Sequence, residues 1–220
     1  MGFYSNKVFP WVLDVTEPRE MAEQRRLILR DIKGEIPEIE IGTGVNLSYY
    51  PDNIKVLTGI EPSDAMHPHA KQRADATGRT LEWYRGQGEQ LPFDEGRFDT
   101  VVMVNVLCTV ENVDAVLGEA YRVLKPGRRL HFLEHGFSKE EKIRKWQIRL
   151  NGLNKVIACG CELTRDIEKH ICDSSFFIDE LVNVSPFSGM NVLYTHIRDV
   201  ALFVEVRSFG SCRMVTVFEN

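Results

Sequence analysis

The residues of this sequence best suited to binding a ligand are two carboxylates and the glycines of a predicted turn. Glu38 precedes a cluster of small residues that contains Gly42 and Gly44, and Glu61 ends the next β-branched run. Glycines let a chain turn sharply from a strand into a helix and approach a ligand closely, because they accept positive φ, and the helix N-terminus offers free N–H groups. An acid at the tip of the second strand can accept hydrogen bonds from two ribose hydroxyls. The pattern predicts a nucleotide-binding turn.

Polar residues also follow three later predicted strands, in segments 86–90, 104–108 and 134–137. Ligands of open α/β sheets bind beyond the carboxyl ends of the strands, so these segments are expected to line one cleft. His135 can take a proton from an acceptor thiol, hydroxyl or amine, since histidine titrates near neutrality. It can equally do no more than hydrogen-bond Glu134 or a loop carbonyl.

The elements that position these residues alternate between strand and helix. We predict one strand before the glycine turn and later strands at 54–60, 80–85, 98–104, 130–133, 177–184 and 200–206, with another through Val215 and Val217. Helices are predicted at 16–32, 47–50, 63–76, 113–124, from 138 onward and at 164–172. The fold class is therefore α/β, a doubly wound, mostly parallel seven-stranded sheet with an antiparallel edge strand.

Two helices carry apolar stripes. The first comprises Val113, Val116, Leu117, Ala120 and Leu124. The second comprises Ile143, Trp146, Leu150, Leu153 and Ile157, and it is interpreted as core or as the wall of an apolar acceptor pocket. Ser138 and Glu141 have the spacing of a capping box at the start of that second helix.

Composition excludes several classes of protein. The 220 residues suit one domain (1–220), with residues 1–15 as a cap segment and 207–220 as a C-terminal extension, and a net charge of −5 leaves no electrostatic footprint for nucleic acid. No apolar run approaches the roughly 20 residues of a membrane span. Five cysteines without paired spacing or a signal peptide indicate a cytoplasmic setting. The one-residue gap between Cys159 and Cys161 fits no common zinc pattern, so no metal site is predicted.

These motifs together resemble the class I S-adenosylmethionine-dependent methyltransferases, most closely small enzymes related to the mammalian alkyl-thiol methyltransferases. The resemblance covers about residues 1–206 and is carried by segments 2–5, 38–51, 60–62, 86–93, 107–108, 124–127, 133–135 and 160–166. It implies a Rossmann-like fold and transfer of a methyl group from S-adenosylmethionine to a small, fairly apolar acceptor, most plausibly a thiol.

The resemblance also assigns residues to parts of the cofactor. Glu38, Gly42, Thr43 and Gly44 would contact its methionine part, and Glu61 its ribose. Gln87, Gly88 and Glu89 would contact the adenine, and Asn105 would lie near the sulfonium.

One departure from the family motif stands in the turn. Aligned without gaps, the first motif glycine falls on Glu40, and Pro37 removes an N–H from a central strand. A second alignment starts the motif at Glu40 and puts Asn46 in the place of the third glycine. The departure motivates an alternative function, a catalytically inactive methyltransferase-fold scaffold, and a nicotinamide-dependent dehydrogenase is a third candidate.

The amino-terminal aromatics Phe3, Tyr4, Phe9 and Trp11 leave two roles open. They form a lid if they close over the cofactor, and otherwise they rest on a membrane surface or a partner. The only partner that the sequence predicts is a small-molecule acceptor, and the oligomeric state is left open.

Overall fold

The computed structural model describes residues 19–184, 201–207 and 216–218. Its helices are α1 (Arg19–Leu29), α2 (His67–Ala76), α3 (Val113–Val123), α4 (Glu141–Ile157) and α5 (Ile167–Asp173), with a short 3-10 helix at Val45–Ser48. Its strands are β1 (Pro37–Ile39), β2 (Val56–Glu61), β3 (Thr80–Arg85), β4 (Phe98–Val104), β5 (Leu124–His135), β6 (Phe177–Val184), β7 (Ala201–Arg207) and β8 (Thr216–Phe218). The predicted cap over residues 1–15 lies outside the described residues.

The eight described strands form one sheet in the order β3-β2-β1-β4-β5-β7-β6-β8. The five strands from β3 to β5 are parallel neighbours, as in a Rossmann-like methyltransferase fold. The prediction of seven strands with an antiparallel edge strand is wrong in two respects. The sheet has eight strands, the eighth lying where a further strand through Val215 and Val217 is predicted. The antiparallel strand β7 lies inside the sheet, between β5 and β6. The edge position is taken by β8, which runs parallel to β6.

Two hydrophobic clusters pack against the sheet. Neighbouring strand residues point to opposite faces, so Val101 and Met103 of β4 belong to one cluster and Val102 to the other. The first cluster contains the whole predicted stripe of α3, all of it buried, and the second contains Ile28 and Leu29 of α1. Helices covering both faces explain why β4 is apolar at nearly every position.

The first strand is short. Pro37 pairs with Thr58 of β2, but pairing with β4 begins only at Glu38. The N–H groups of Asp99 and Thr100 both donate to the carbonyl of Glu35 instead, at 3.0 and 3.3 Å. The sheet therefore accommodates the proline by beginning regular pairing one residue later on that side.

Helix α4 differs from its prediction. Of the predicted stripe only Ile143 is buried, whereas Trp146, Leu153 and Ile157 are 48%, 59% and 50% exposed among the described residues. The core-facing position is taken by Gln147, whose amide donates to the Gly136 carbonyl at 2.9 Å and accepts from the Ser138 N–H at 2.8 Å. The capping box is wrong as well, because Glu140 is the N-cap and makes no side-chain cap bond.

Among the helices that the structure describes, none is both long and apolar enough to cross a bilayer.

Candidate active site

The turn after β1 has a left-handed backbone at three positions. The φ angles are +50° at Glu40, +58° at Gly42 and +76° at Gly44. Gly44 must also be small, since a Cβ atom there would lie 2.9 Å from the Cα atom of Ala70 in α2. The chain turns as tightly as a cofactor-binding turn requires.

Glu40 adopts the backbone conformation that a motif glycine would provide. A side chain in this conformation costs roughly 1–2 kcal/mol. This geometry supports the gapless alignment, in which Glu40 stands on the first motif glycine, over the alignment that starts the motif at Glu40. The turn is formed despite the carboxylate.

Glu38 lies beneath the turn and braces it. Its side chain is buried, with one carboxylate oxygen accepting from Asn46 Nδ2 at 2.7 Å and the other from Tyr50 Oη at 2.8 Å. Burial raises the pKa of Glu38 to about 7, against the opposing effect of these two hydrogen bonds. Both oxygens are thus occupied by side chains of the 3-10 helix and the segment after it.

Glu61 joins the tip of β2 to the same turn. Its Oε2 atom accepts from the Gly42 N–H at 3.0 Å, and its Oε1 atom accepts from the Ser63 N–H at 2.9 Å. Burial raises the pKa of this carboxyl group, while the two backbone hydrogen bonds lower it. Each carboxylate oxygen can accept a second hydrogen bond, so Glu61 retains acceptor capacity.

A cavity of about 660 Å³ opens between the tips of the parallel strands. It lies where the strand order reverses, between β1 and β4, which is the usual ligand position in such sheets. Its lining residues are Glu40, Pro62, Gln87, Glu89, Thr109, Val110, Glu111, Asn112, Val113, Asp114, Arg165 and His170. The volume is that of a small-molecule site.

Two of the sequence-predicted site residues, Gln87 and Glu89, line this cavity, as does Glu40. Pro62, which follows Glu61 directly, also lines it. Gly88 lies behind its two neighbours, where a Cβ atom would approach Ile39 Cγ2 to 2.9 Å. The loop after β3 is therefore packed tightly onto β1.

The loop after β3 is also tied to the start of α3. Glu89 Oε1 accepts from the N–H groups of Glu111 and Asn112, at 3.1 and 3.2 Å. Asn112 is the N-cap of α3, and its side chain accepts from the Ala115 N–H. The two loops form one wall.

The cavity is strongly acidic. Burial is the main cause that raises the pKa of Glu40 to about 8, and the nearby carboxylates of Glu61 and Glu89 raise it further. The hydroxyl of Thr109 lies 3.4 Å from Glu40 Oε2 and opposes the shift. At pH 7 the protonated form of Glu40 therefore predominates.

Most of the predicted site residues lie outside the cavity lining, and Thr43 and Asn105 are two of them. Thr43 is buried, and its carbonyl accepts from Arg73 Nη1 at 2.6 Å. Asn105 has a φ of +57° and donates its N–H to the Leu133 carbonyl at 2.8 Å. Both belong to the turns that shape the site.

His135 is likewise outside the lining. Its ring is buried, with Nε2 2.9 Å from Cys161 Sγ, and Nδ1 has no hydrogen-bond partner among the described residues. The adjacent Glu134 carboxyl accepts from the N–H groups of Val106 and Leu107 through Oε1, and burial raises its pKa to about 7. The predicted general base therefore sits behind the loop that follows β4.

Sequence reasoning missed one whole side of the cavity. The predicted cleft segment after β4 ends at residue 108, whereas residues 109–114 continue the cavity wall. Arg165 reaches the site from the segment before α5, donating through Nη1 to the carbonyls of Leu107 and Val110 at 2.7 and 2.6 Å. The resemblance includes segment 160–166, but a long-range contact of this kind gives no local signal in the sequence. His170 pairs with Asp114 at 2.8 Å and had no sequence signal.

The comparisons with known proteins point to one chemistry. Residues 38–132 match the family model described as a methyltransferase domain. Thiol S-methyltransferase TMT1B of Rattus norvegicus is 32% identical over 184 residues, which are 76% of this chain and 75% of that protein. Thiol S-methyltransferase TMT1A of Homo sapiens is 28% identical over 221 residues, which are 92% and 90% of the two chains. These matches favour methyl transfer over the dehydrogenase alternative.

A solved structure shares the fold. The SAM-dependent methyltransferase from Thermotoga maritima superimposes with a TM-score of 0.64 at 21% identity, covering 94% of this chain and 96% of that one. The likeness supports the arrangement of strands.

Proposed function

Because this chain belongs to the class I S-adenosylmethionine-dependent methyltransferases, we propose that its methyl acceptor is a small, fairly apolar thiol. The observation that carries the proposal is the 32% identity to a thiol S-methyltransferase across three-quarters of both chains. S-Adenosylmethionine is the cofactor. When bound, it supplies a methyl group carried on a sulfonium sulfur, and this sulfur becomes a neutral thioether after the transfer. The acceptor is an inference from relatives, since fold and cofactor do not fix a substrate.

The residues at the strand tips fit this cofactor. The left-handed turn at Gly42 and Gly44 would receive its methionine part, and Glu61 its ribose hydroxyls. Gln87 and Glu89, which face the cavity, would contact the adenine. Carboxylates around the cavity suit a ligand that carries both an ammonium and a sulfonium.

Glu40 does not oppose that fit at neutral pH. A second ionised carboxylate about 4 Å from the cofactor's own would cost up to roughly 4 kcal/mol at an effective dielectric of 20. With its pKa raised to about 8, Glu40 is mostly protonated at pH 7 and carries no such charge. The acid that motivated the inactive-scaffold alternative is thus compatible with binding.

The protein contributes to this reaction mainly by positioning the reactants. Methyl transfer from a sulfonium needs little covalent help, so holding the thiol in line and excluding water are the main contributions. His135 remains our proposal for the proton acceptor, although an acceptor thiol would have to displace Cys161 from its Nε2 atom or reach Nδ1.

The acceptor is tested with three compounds that share one alkyl or aryl skeleton and differ in a thiol, hydroxyl or amine group. We expect methyl transfer to the thiol, detected as the S-methyl product and as S-adenosylhomocysteine by mass spectrometry. Turnover of the amine or alcohol in place of the thiol would overturn the proposed acceptor. A chain that binds no S-adenosylmethionine at millimolar concentration in calorimetry would contradict the enzyme itself.

Replacing Glu40→Gly separates the active enzyme from the inactive scaffold. Glycine accepts the left-handed backbone and removes a side chain from the cavity, so we expect severalfold tighter S-adenosylmethionine binding by calorimetry and a gain in stability of about 1 kcal/mol. Glu82→Gln, an exposed carboxylate on β3, is the matched control. If S-adenosylmethionine binds the unaltered chain weakly and binds Glu40→Gly no more tightly, the inactive scaffold is favoured.

A further inference from the structure

Three classical metal ligands converge behind the candidate active site. Cys108, His135 and Cys161 are 1%, 5% and 3% exposed. Their two sulfur atoms and a ring nitrogen all lie within 4.8 Å of one another. They come from three separate segments, after β4, at the end of β5 and after α4, so the fold alone brings them together.

The cluster is held in place by hydrogen bonds between its own segments. The Glu162 N–H donates to the Cys108 carbonyl at 2.8 Å, which ties the residue after Cys161 to the loop after β4. Asn154 Nδ2 donates to the Cys161 carbonyl at 2.8 Å. Gly160, at a φ of +107°, makes the turn that directs the chain back toward Cys108. The three ligand positions are therefore fixed before any ion arrives.

The donor set matches one kind of ion. Two thiolates and an imidazole suit a borderline-soft divalent cation, and zinc takes such ligands with bond lengths of about 2.0–2.3 Å. His135 Nε2 and Cys161 Sγ, which are 2.9 Å apart, would both turn toward the ion. Two thiolates would balance the charge of the ion in this buried place.

We propose that Cys108, His135 and Cys161 form a zinc-binding site. Three protein ligands leave a fourth tetrahedral position for water or a small ligand. The sequence prediction of no metal site rested on the spacing of Cys159 and Cys161, and Cys159 is exposed and outside the cluster. The inference does not depend on which acceptor the enzyme methylates. It does exclude the proton-acceptor role proposed for His135, because an imidazole that binds zinc through Nε2 keeps its proton on Nδ1.

The site is tested on the full chain by metal analysis. Protein incubated with Zn²⁺ under reducing conditions and dialysed against metal-free buffer is expected to keep about one zinc per chain. Cobalt substitution should give the thiolate charge-transfer and d–d absorption of tetrahedral sulfur coordination. Cys108→Ser and Cys161→Ser should each weaken zinc binding by at least about tenfold, whereas Cys172→Ser, an exposed cysteine, should leave it unchanged.

A second measurement keeps the test valid if a ligand variant does not fold. In the unaltered chain under mildly denaturing conditions, zinc should slow the alkylation of Cys108 and Cys161 relative to the zinc-free chain, while Cys172 reacts equally fast in both, as read by peptide mass spectrometry. A folded chain that binds neither zinc nor cobalt would overturn the site. So would a loss of zinc binding in Cys172→Ser that equals the loss in Cys108→Ser and Cys161→Ser. So would a disulfide between Cys108 and Cys161 that persists under reducing conditions. S-Adenosylmethionine binding, measured on the same samples, separates this result from the methyltransferase assignment.

Discussion

At the scale of single residues, the carboxylates at the strand tips do different work. Glu38 braces the turn from below, Glu61 ties β2 to it, and Glu40 faces the cavity. All three have raised pKa values, and burial is the leading cause for each. Burial thus favours the protonated form of each acid, while for Glu61 the two backbone N–H donors favour the ionised form.

The stability of the protein should depend on pH through Glu40. Its pKa is about 8 in the folded chain and 4.5 without the fold, so the folded state binds the extra proton between these values. The free energy of unfolding should therefore fall as pH rises from about 5 to about 8. Glu40→Gln should remove this loss, with a stability difference from the unaltered chain that grows to the order of 3 kcal/mol by pH 8.

Urea unfolding of the two chains at several pH values measures that difference. Glu38 and Glu134, whose pKa values are raised to about 7, remain in the variant and keep part of the slope. The difference between the chains isolates Glu40. A difference that does not change between pH 5 and 8 would contradict its raised pKa.

The second residue prediction concerns Glu61. Glu61→Gln keeps the size of the side chain but loses its charge, and charge-assisted hydrogen bonds contribute about 1.5–3 kcal/mol. We expect S-adenosylmethionine binding to weaken by roughly tenfold to a hundredfold in calorimetry. One backbone hydrogen bond from Gly42 or Ser63 is also lost, so unfolding is measured in parallel. Glu82→Gln should change neither quantity, and normal affinity in Glu61→Gln would remove Glu61 from the cofactor site.

At the scale of elements, α3 and α4 carry similar stripes but have different surroundings. Leu117 of α3 is buried in the larger core cluster, whereas Trp146 of α4 is 48% exposed among the described residues. Leu117→Ala should lower the free energy of unfolding by about 2–5 kcal/mol, because it removes buried methyl groups and leaves a cavity. Trp146→Ala should cost less than about 1 kcal/mol. Equal losses in denaturant unfolding would show that the α4 stripe is covered.

The two stripes also show what sequence periodicity can and cannot predict. A 3.6-residue period correctly marks both helices, and the predicted bounds of β3, β4 and β6 agree with those in the structure. Which face of α4 is covered depends on the chain that precedes it. The Gly136 carbonyl and the Ser138 N–H need partners, and Gln147 supplies them from a position that an apolar pattern leaves out.

The candidate site likewise has a part that the sequence predicts and a part that it does not. Residues next to a strand tip, such as Glu61 and Glu89, were predictable because a tip has a fixed place in a parallel sheet. Arg165 and the Cys108–His135–Cys161 cluster were not, because their members are far apart in sequence. Only the folded chain brings them to one place.

At the scale of the whole molecule, the cofactor should stabilise the fold. A ligand that binds only the folded state at 100 times its Kd adds about 2.7 kcal/mol. The melting temperature should therefore rise with S-adenosylmethionine concentration, as measured by scanning calorimetry. Gly44→Ala should abolish most of this rise, because the added methyl group collides with the backbone of α2 at Ala70 and opens the turn. A full shift in that variant would place the cofactor elsewhere.

The three residues of β8 cover part of the edge of the sheet. Thr216–Phe218 pair along Leu181–Asn183 of β6, which would otherwise present unpaired N–H and C=O groups at the sheet edge. An open edge of this kind is a template for strand addition between molecules. Because β8 has only three residues, the edge that it presents is short, and a short edge offers few backbone groups to a second chain.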